Sequence, residues 1–450
     1  MSALPSAQNV SAAQKATGSV SYNKVRLFAA GSLALAMSGI AASLRANTAS
    51  DLQRIFLDPI DKARSAEMIG AILGLPFLGY AVTIAIGSPL LDYIGMGLLL
   101  PLSGVLFSIG ALIMIFAGDL ASGAGVYSVL WIGALITGIG WGLVETVTNP
   151  MVASLYPNDK TSKLNAVHAW WPGGLVIGGL LGVAMSKYGI GWQWKLGIVI
   201  IPAIMLVALC AGMRFPPTER VAAGVSAKDM FKELMNPLFF VFFASMFLTA
   251  ASELAPGQWV DFALSRTVHM PGILLLVYVS GLMFLMRHFA GHLVHKLSPI
   301  GVLWFSCVGA GLGLYALSVA NSPVTALMAA TIWGIGCCYM WPTMLAAASE
   351  RFPRGGALLM GLMGTAGTLS IQFVLPIMGN IYDKTKVEAA GGDAAFKALP
   401  PGPEMDRVLG IAAQTSFRDV AVLPVILLFV FAGIWFYDRS KGGYKATKIS

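Results

Sequence analysis

The sequence is short of charge. Only 11% of its 450 residues are Asp, Glu, Lys or Arg, against about 25% in an ordinary soluble domain. With 57% hydrophobic residues and a mean hydropathy of +0.75, a surface that faces water all round is excluded. Cysteine is scarce too. Cys210, Cys307, Cys337 and Cys338 all lie within apolar runs and none form a CxxC pair, so buried free thiols are expected rather than disulfides or metal ligands. No GxxxxGK[ST] loop is present, which leaves this chain without its own ATP-driven step. No HExxH and no His/Cys cluster is present, so no metal, other cofactor or enzymatic activity is expected. The net charge of +8 does not point to nucleic acid, because the basic residues punctuate apolar runs.

Those runs are what the chain does have. Stretches long enough to cross a bilayer, roughly 17–25 residues, fall near 26–48, 66–88, 95–117, 126–155, 164–186 and 194–213. Six more fall near 237–257, 271–296, 300–319, 323–349, 355–382 and 418–437. This reads as an all-α integral membrane protein with twelve transmembrane helices in two six-helix halves. The expected parts are a disordered tail (1–24), an N-terminal half (25–213), a linker (214–236), a C-terminal half (237–440) and a short tail (441–450). The segment 383–417, polar and rich in Gly and Pro, is expected to be a long loop. The first residues lack an apolar core, so a tail is expected there and not a cleaved signal peptide. An even helix count puts both termini on one side. That side collects seventeen of the 29 Lys and Arg residues, the other side eleven, and Arg45 lies within a run. The bias predicts cytoplasmic termini and a multi-pass plasma membrane protein, in the inner membrane if bacterial.

One stretch carries most of the functional signal: Gly138 to Gly174, GIGWGLVETVTNPMVASLYPNDKTSKLNAVHAWWPGG. Glu145 and Asn149 are four residues apart, hence on one helix face. A carboxylate at bilayer depth costs about 2.5–3.5 kcal/mol on insertion scales. It is kept where it faces a protein interior or a watery cavity, and there its proton can be coupled to transport. The halves also echo each other. Gly138-Ile-Gly140 precedes Pro157 at the spacing by which Gly334-Ile-Gly336 precedes Pro353, and each of these fourth helices holds an internal proline, Pro150 or Pro342. A duplication into two parallel six-helix halves fits; the alternative is that such glycine pairs only let helices pack closely.

ETVTNP followed by KLNAVHAWW resembles the ETAANP…RLNxxQ block of the fucose–galactose–glucose proton symporters of the major facilitator superfamily. It is similar as well to the Asn-x-x-His form of that block in sodium-dependent glucose transporters. Ala251–Leu264, ASELAPGQWVDFAL, resembles the group's seventh-helix element, and Trp341–Gly361, WPTMLAAASERFPRGGALLMG, its block across helices 10 and 11. The resemblance implies a major facilitator fold with helices 1, 4, 7 and 10 at the centre and the substrate between the halves. Two departures stand out. The loop Gly87-Ser-Pro-Leu-Leu-Asp92-Tyr-Ile-Gly95 has no Arg or Lys after it, and Ser43-Leu44-Arg45-Ala46-Asn47 carries a cation where the fucose symporters carry an acid.

The candidate residues follow. Glu145 and Glu253 are the expected proton-coupling acids; a structural carboxylate paired with Arg45 is the alternative. Arg45, Asn149, His168, Trp171, Gln258, Trp259 and Gln372 are the expected substrate-binding set. Arg offers a fork suited to carboxylates or paired hydroxyls, His donates and accepts near neutral pH, and indole faces stack on sugar C–H faces. For each, a structural reading stands beside the functional one: Asn149 could bond a carbonyl freed by Pro150, and His168 could be a satisfied core histidine. Arg287 reads as a cation that snorkels to the membrane surface. Asp92, Glu350 and Arg351 are the expected gate.

Together these features predict a secondary active transporter, a proton-coupled symporter of a monosaccharide, polyol or sugar acid working by alternating access. The expected partners are a small solute, a proton or sodium ion, and the bilayer; no nucleic-acid partner is expected, and a monomer is. A transporter of organic anions or other small metabolites is the main alternative, favoured by Arg45. A lipid flippase would need a lateral apolar opening, and a non-transporting nutrient sensor an appended signalling domain.

Overall fold

A computed structural model describes residues 21–61, 64–264, 272–447 and 449, with side chains over the same ranges except 66–67, 258–264 and 272–273. Most of the expected tail 1–24 lies outside the described residues. Twelve helices follow the twelve apolar runs. In the first half they are α1 (Lys24–Leu52), α2 (Ser65–Ile94), α3 (Met96–Ile115), α4 (Gly125–Leu155), α5 (Lys160–His168 and Trp170–Lys187) and α6 (Trp192–Gly197 and Ile200–Cys210). In the second they are α7 (Pro237–Leu264), α8 (Gly272–Arg287), α9 (Ala290–Ser318), α10 (Pro323–Cys337 and Met340–Arg351), α11 (Gly356–Ala389) and α12 (Val422–Ser440). Among the described residues eleven spans are long and apolar enough to cross a membrane, and the apolar part of α8, Leu274–Arg287, is shorter.

Two boundaries differ from the sequence reading. The eighth run was expected to continue to 296. Instead α8 ends at Arg287, and the piece from Ala290 leads into α9 through a break at Ser298, whose φ is 61°. Pro299 explains the break, since it disfavours helical geometry at the residue before it. The expected loop 383–417 is mostly helical: α11 runs on to Ala389, and Pro403–Val420 forms an amphipathic helix leading into α12. Val408, Ala412, Ala413, Phe417 and Val420 recur at helical spacing and are buried. Gly402 and Pro403 mark this helix's start in sequence, but the polar residues between the buried positions masked the period.

The glycine echo has a structural meaning. A Cβ on Gly138 would fall 2.6 Å from Pro76 of α2, and one on Gly334 3.1 Å from Val279 of α8, the matching helix of the other half. A Cβ on Gly140 would meet Phe107 of α3 at 3.1 Å, and one on Gly336 the α9 backbone at Ala310 at 2.1 Å. The same pair of contacts is thus made twice, by helices 4 and 10. The α1–α5 contact is similarly tight, with Cβ positions on Gly39 and Gly174 each 2.2 Å from a facing carbonyl oxygen. Helices α3, α6, α9 and α12 turn large apolar side chains outward, including Leu98, Ile204, Phe305 and Phe429, and contain no charge between residues 98–115, 198–210, 300–318 and 422–437.

The two halves meet at the end that carries both termini. There Thr161 donates to Glu350 (2.7 Å), Asn165 donates to Thr343 (3.1 Å), and Ser88 of α2 abuts Gly361 of α11. The linker adds to this closure. Lys160 pairs with Glu219 at 2.6 Å, while Asp92 accepts from Thr218 (2.6 Å) and pairs with Arg220. The cation absent after Asp92 in sequence is therefore supplied by the linker. Glu350 also accepts from Tyr444 (2.6 Å), whose hydroxyl is held protonated, well above its ordinary range, first by burial and then by the Glu350 charge. Arg351 pairs with Asp438 of α12, so it braces one half and does not bridge the two.

The α1–α5 contact leaves no room for one methyl group. Gly174→Ala should destabilise the protein by about 1–3 kcal/mol through overpacking. Gly433→Ala, with open space around it, should be neutral or stabilising by up to about 1 kcal/mol. Thermal unfolding of the detergent-purified variants checks this, and equal midpoints would mean the helices are not in close contact.

Candidate functional site

A narrow, partly enclosed cavity lies between the halves, with apolar walls and a few convergent polar groups, the make-up of small-molecule sites. The first half contributes Phe77, Tyr80, Trp141, Glu145, His168 and Trp171. The second contributes Glu253, Leu254, Arg287, Trp341, Thr368 and Ile371.

Trp141 and Glu145 are one turn apart on α4 and face the same way. The Trp141 indole is packed edge-on by Phe77 and Tyr80, at 5.4 and 4.9 Å between centroids, and lies parallel to Trp171 at 6.3 Å. The result is an aromatic wall. Its polar atoms Tyr80 Oη, Trp141 Nε1 and Trp171 Nε1 are buried and have no hydrogen-bond partner among the described residues. Unmet buried donors are costly, so their presence on a cavity wall marks where a ligand's oxygen atoms could sit.

Two carboxylates face the cavity, one from each half, and their settings differ. Glu145 Oε2 accepts from Asn149 Nδ2 at 2.8 Å. Asn149 Oδ1 in turn lies 2.7 Å from His168 Nε2, which is 3.8 Å from Glu145 Oε2. With the Asn149 amide donating to Glu145, Nε2 of His168 is the nitrogen that carries the proton towards Asn149. Among the described residues no Arg or Lys is bonded to Glu145. Asn149 also bonds the Glu145 carbonyl (3.2 Å), whereas the carbonyl that Pro150 frees is that of Thr146. Asn149 therefore sits behind Glu145 and orients it and His168; it does not line the cavity as the substrate-binding expectation required.

Glu253 is fully engaged. Its Oε1 accepts from Arg287 Nη2 at 2.7 Å and its Oε2 from the Trp341 backbone N–H at 3.2 Å. The break in α10 before Met340 leaves that N–H free at a helix N-terminus, where a negative charge is favoured. Arg287 also donates from Nε to the Cys338 carbonyl (2.6 Å) and from Nη1 to the His168 carbonyl (3.0 Å). Both acceptors lie four residues before a proline, Pro342 and Pro172, which has no N–H to return to them. Trp333 Nε1 does likewise at the Ser252 carbonyl (3.1 Å), four before Pro256.

Arg287 is thus buried at the centre, 3% exposed, and the snorkelling expectation fails. A guanidinium with three inward acceptors has no reason to reach the surface. The other expected residues divide. His168, Trp171, Glu145 and Glu253 meet in the cavity. Arg45 is buried but outside the lining, and its side chain has no ion pair among the described residues. Gln372 is exposed; Thr368 and Ile371 hold the inward positions of α11 instead. The side chains of Gln258 and Trp259 lie outside the described residues. Tyr80, Trp141, Arg287 and Trp341 were missed. Trp141 was recoverable, since it precedes Glu145 by one helical turn. Trp170 packs away from the cavity, edge-on to Phe284 of α8 at 5.4 Å.

The overall shape is similar to solved sugar symporters. The proton:xylose symporter XylE superposes with a TM-score of 0.69 at 15% identity, covering 90% of this chain and 94% of that one. The E. coli fucose:proton symporter FucP gives 0.63 at 15%, covering 88% and 98%. At such identity these matches speak for the fold alone. A D-xylose transporter of Levilactobacillus brevis is 28% identical over 157 residues, 35% of this chain and only 30% of that protein's length. The family model described as Major Facilitator Superfamily matches residues 26–374, and the chain belongs to that superfamily of membrane transporters.

Proposed function

We propose that the chain is a secondary active transporter that carries a monosaccharide, polyol or sugar acid together with a proton by rocking of its two halves. The observation that carries this reading is the pairing, in one inter-half cavity, of Glu145, to which no Arg or Lys is bonded among the described residues, and three donors on an aromatic wall that have no partner there. Ring faces suit sugar C–H groups, and the free donors suit sugar oxygens. In this reading Glu145 carries the proton, held by Asn149 and His168. Glu253 keeps Arg287 in place and takes a proton only when that pair opens. The similarity of one stretch to a protein named as a D-xylose transporter supports the solute class.

With the termini cytoplasmic, as the Lys/Arg bias favours, the closure formed by Thr161, Glu350, Asp92 and Arg220 is a cytoplasmic gate. The solute then enters from the opposite side. Arg351 supports that gate through α12. A second reading, an organic-anion transporter, has one observation in its favour: the buried guanidinium of Arg45 lacks an ion pair among the described residues.

A thermal-shift screen of the purified protein with sugars, polyols and organic acids separates the two. A ligand at a hundred times its Kd stabilises by about 2.7 kcal/mol, so a sugar or polyol should raise the midpoint and Arg45→Ala should leave that shift intact. Stabilisation by carboxylates alone, lost in Arg45→Ala, would establish the anion reading. Glu145→Gln should keep solute counterflow in proteoliposomes yet lose accumulation driven by an imposed pH gradient. Accumulation that still follows the gradient in this variant would remove Glu145 from the proton path.

A further inference from the structure

Arg287 belongs to the second half, yet one of its bonds crosses to the first. Two of its partners, Glu253 and the Cys338 carbonyl, move with it; the third, the His168 carbonyl, lies on α5. That carbonyl is open to Arg287 because Pro172, four residues on, has no N–H to offer it. An ordinary residue at 172 would place a backbone N–H in competition with the guanidinium. The other two proline-freed acceptors in this region, Cys338 and Ser252, are answered from within their own half, by Arg287 and Trp333. Of these three, all among the described residues, the Pro172 instance is the one that spans the halves.

We propose that Pro172 is a positioning residue: by withholding a donor from His168 it creates the acceptor for a tether, the Arg287–His168 bond, that holds the halves in this arrangement and breaks when they rock. The asymmetry of the bonds makes this workable. Releasing His168 leaves Arg287 still paired with Glu253 and bonded to Cys338, so no unpaired charge is stranded in the interior. The released carbonyl sits on the residue that also lines the cavity, where water or a solute hydroxyl can replace the guanidinium. The tether rests on the rocking reading above.

The test compares two substitutions that both restore the N–H. Pro172→Ala favours a straight helix, whereas Pro172→Gly leaves the backbone free to bend. Spin labels at Tyr188 and Val319, exposed ends of α5 and α9, report the separation of the halves in nanodiscs without solute, in a background with the four native cysteines replaced. The tether predicts that both variants lower the ratio of parent-like to rearranged molecules by about tenfold, the scale of one hydrogen bond to a charged group. On an Arg287→Lys background Pro172→Ala should add nothing. Parent-like distributions in both variants, a shift in Pro172→Ala alone, or additivity with Arg287→Lys would overturn the tether while leaving rocking intact. A single fixed separation in the parent at every pH would overturn both.

Discussion

A charge in the interior is costly unless it is matched, and much of the centre of this protein is arranged around matching one. Arg287 is buried among apolar helices, where an unpaired guanidinium would cost several kcal/mol. It is answered by one carboxylate and two carbonyls. The carboxylate is itself stabilised by the N-terminus of the second piece of α10, and the carbonyls exist as acceptors because prolines follow them. Pro172, Pro256 and Pro342, which hydropathy treats as mere interruptions, therefore determine where polar side chains can settle. Glu145 is the contrast. It has an amide and a histidine beside it but no bonded Arg or Lys among the described residues, and this makes it the group free to change its charge.

Around that centre the fold repeats one packing scheme. Gly138 and Gly140 on α4, and Gly334 and Gly336 on α10, admit neighbouring helices at backbone distance in each half. Two bundles result, joined at the end that carries the termini by polar bonds and by the linker, and at the centre by the Arg287–His168 bond. The linker's Arg220 takes over the partnership with Asp92, so the gate is assembled from a segment outside the helices.

The twelve helices and their division were legible because each required a long apolar run, and Glu145 because a lone carboxylate in such a run is conspicuous. Arg287 was misread because it is the last residue of α8, where snorkelling is the usual outcome; only the three-dimensional meeting of Pro172 and Pro342 supplies its acceptors. Gln372 was assigned inward because polar side chains avoid lipid, yet Thr368 and Ile371 share the inward face and Gln372 is rotated off it. Asn149 was placed on the cavity wall by its spacing from Glu145, but its short side chain is spent on Glu145 and His168. The 383–417 segment was read as a loop from its composition, although Ala413 and Phe417, with Val420 just beyond, carried a helical period.

The central claim is that a proton gradient moves a sugar-like solute through this cavity. The most direct measurement is uptake of labelled D-xylose, L-fucose and D-glucose into proteoliposomes under an inwardly directed proton gradient. The account predicts that at least one accumulates above its external concentration and leaks back when the gradient is collapsed. Equilibration of every sugar at the rate of empty liposomes, with gradient-driven accumulation of an organic anion instead, would contradict it.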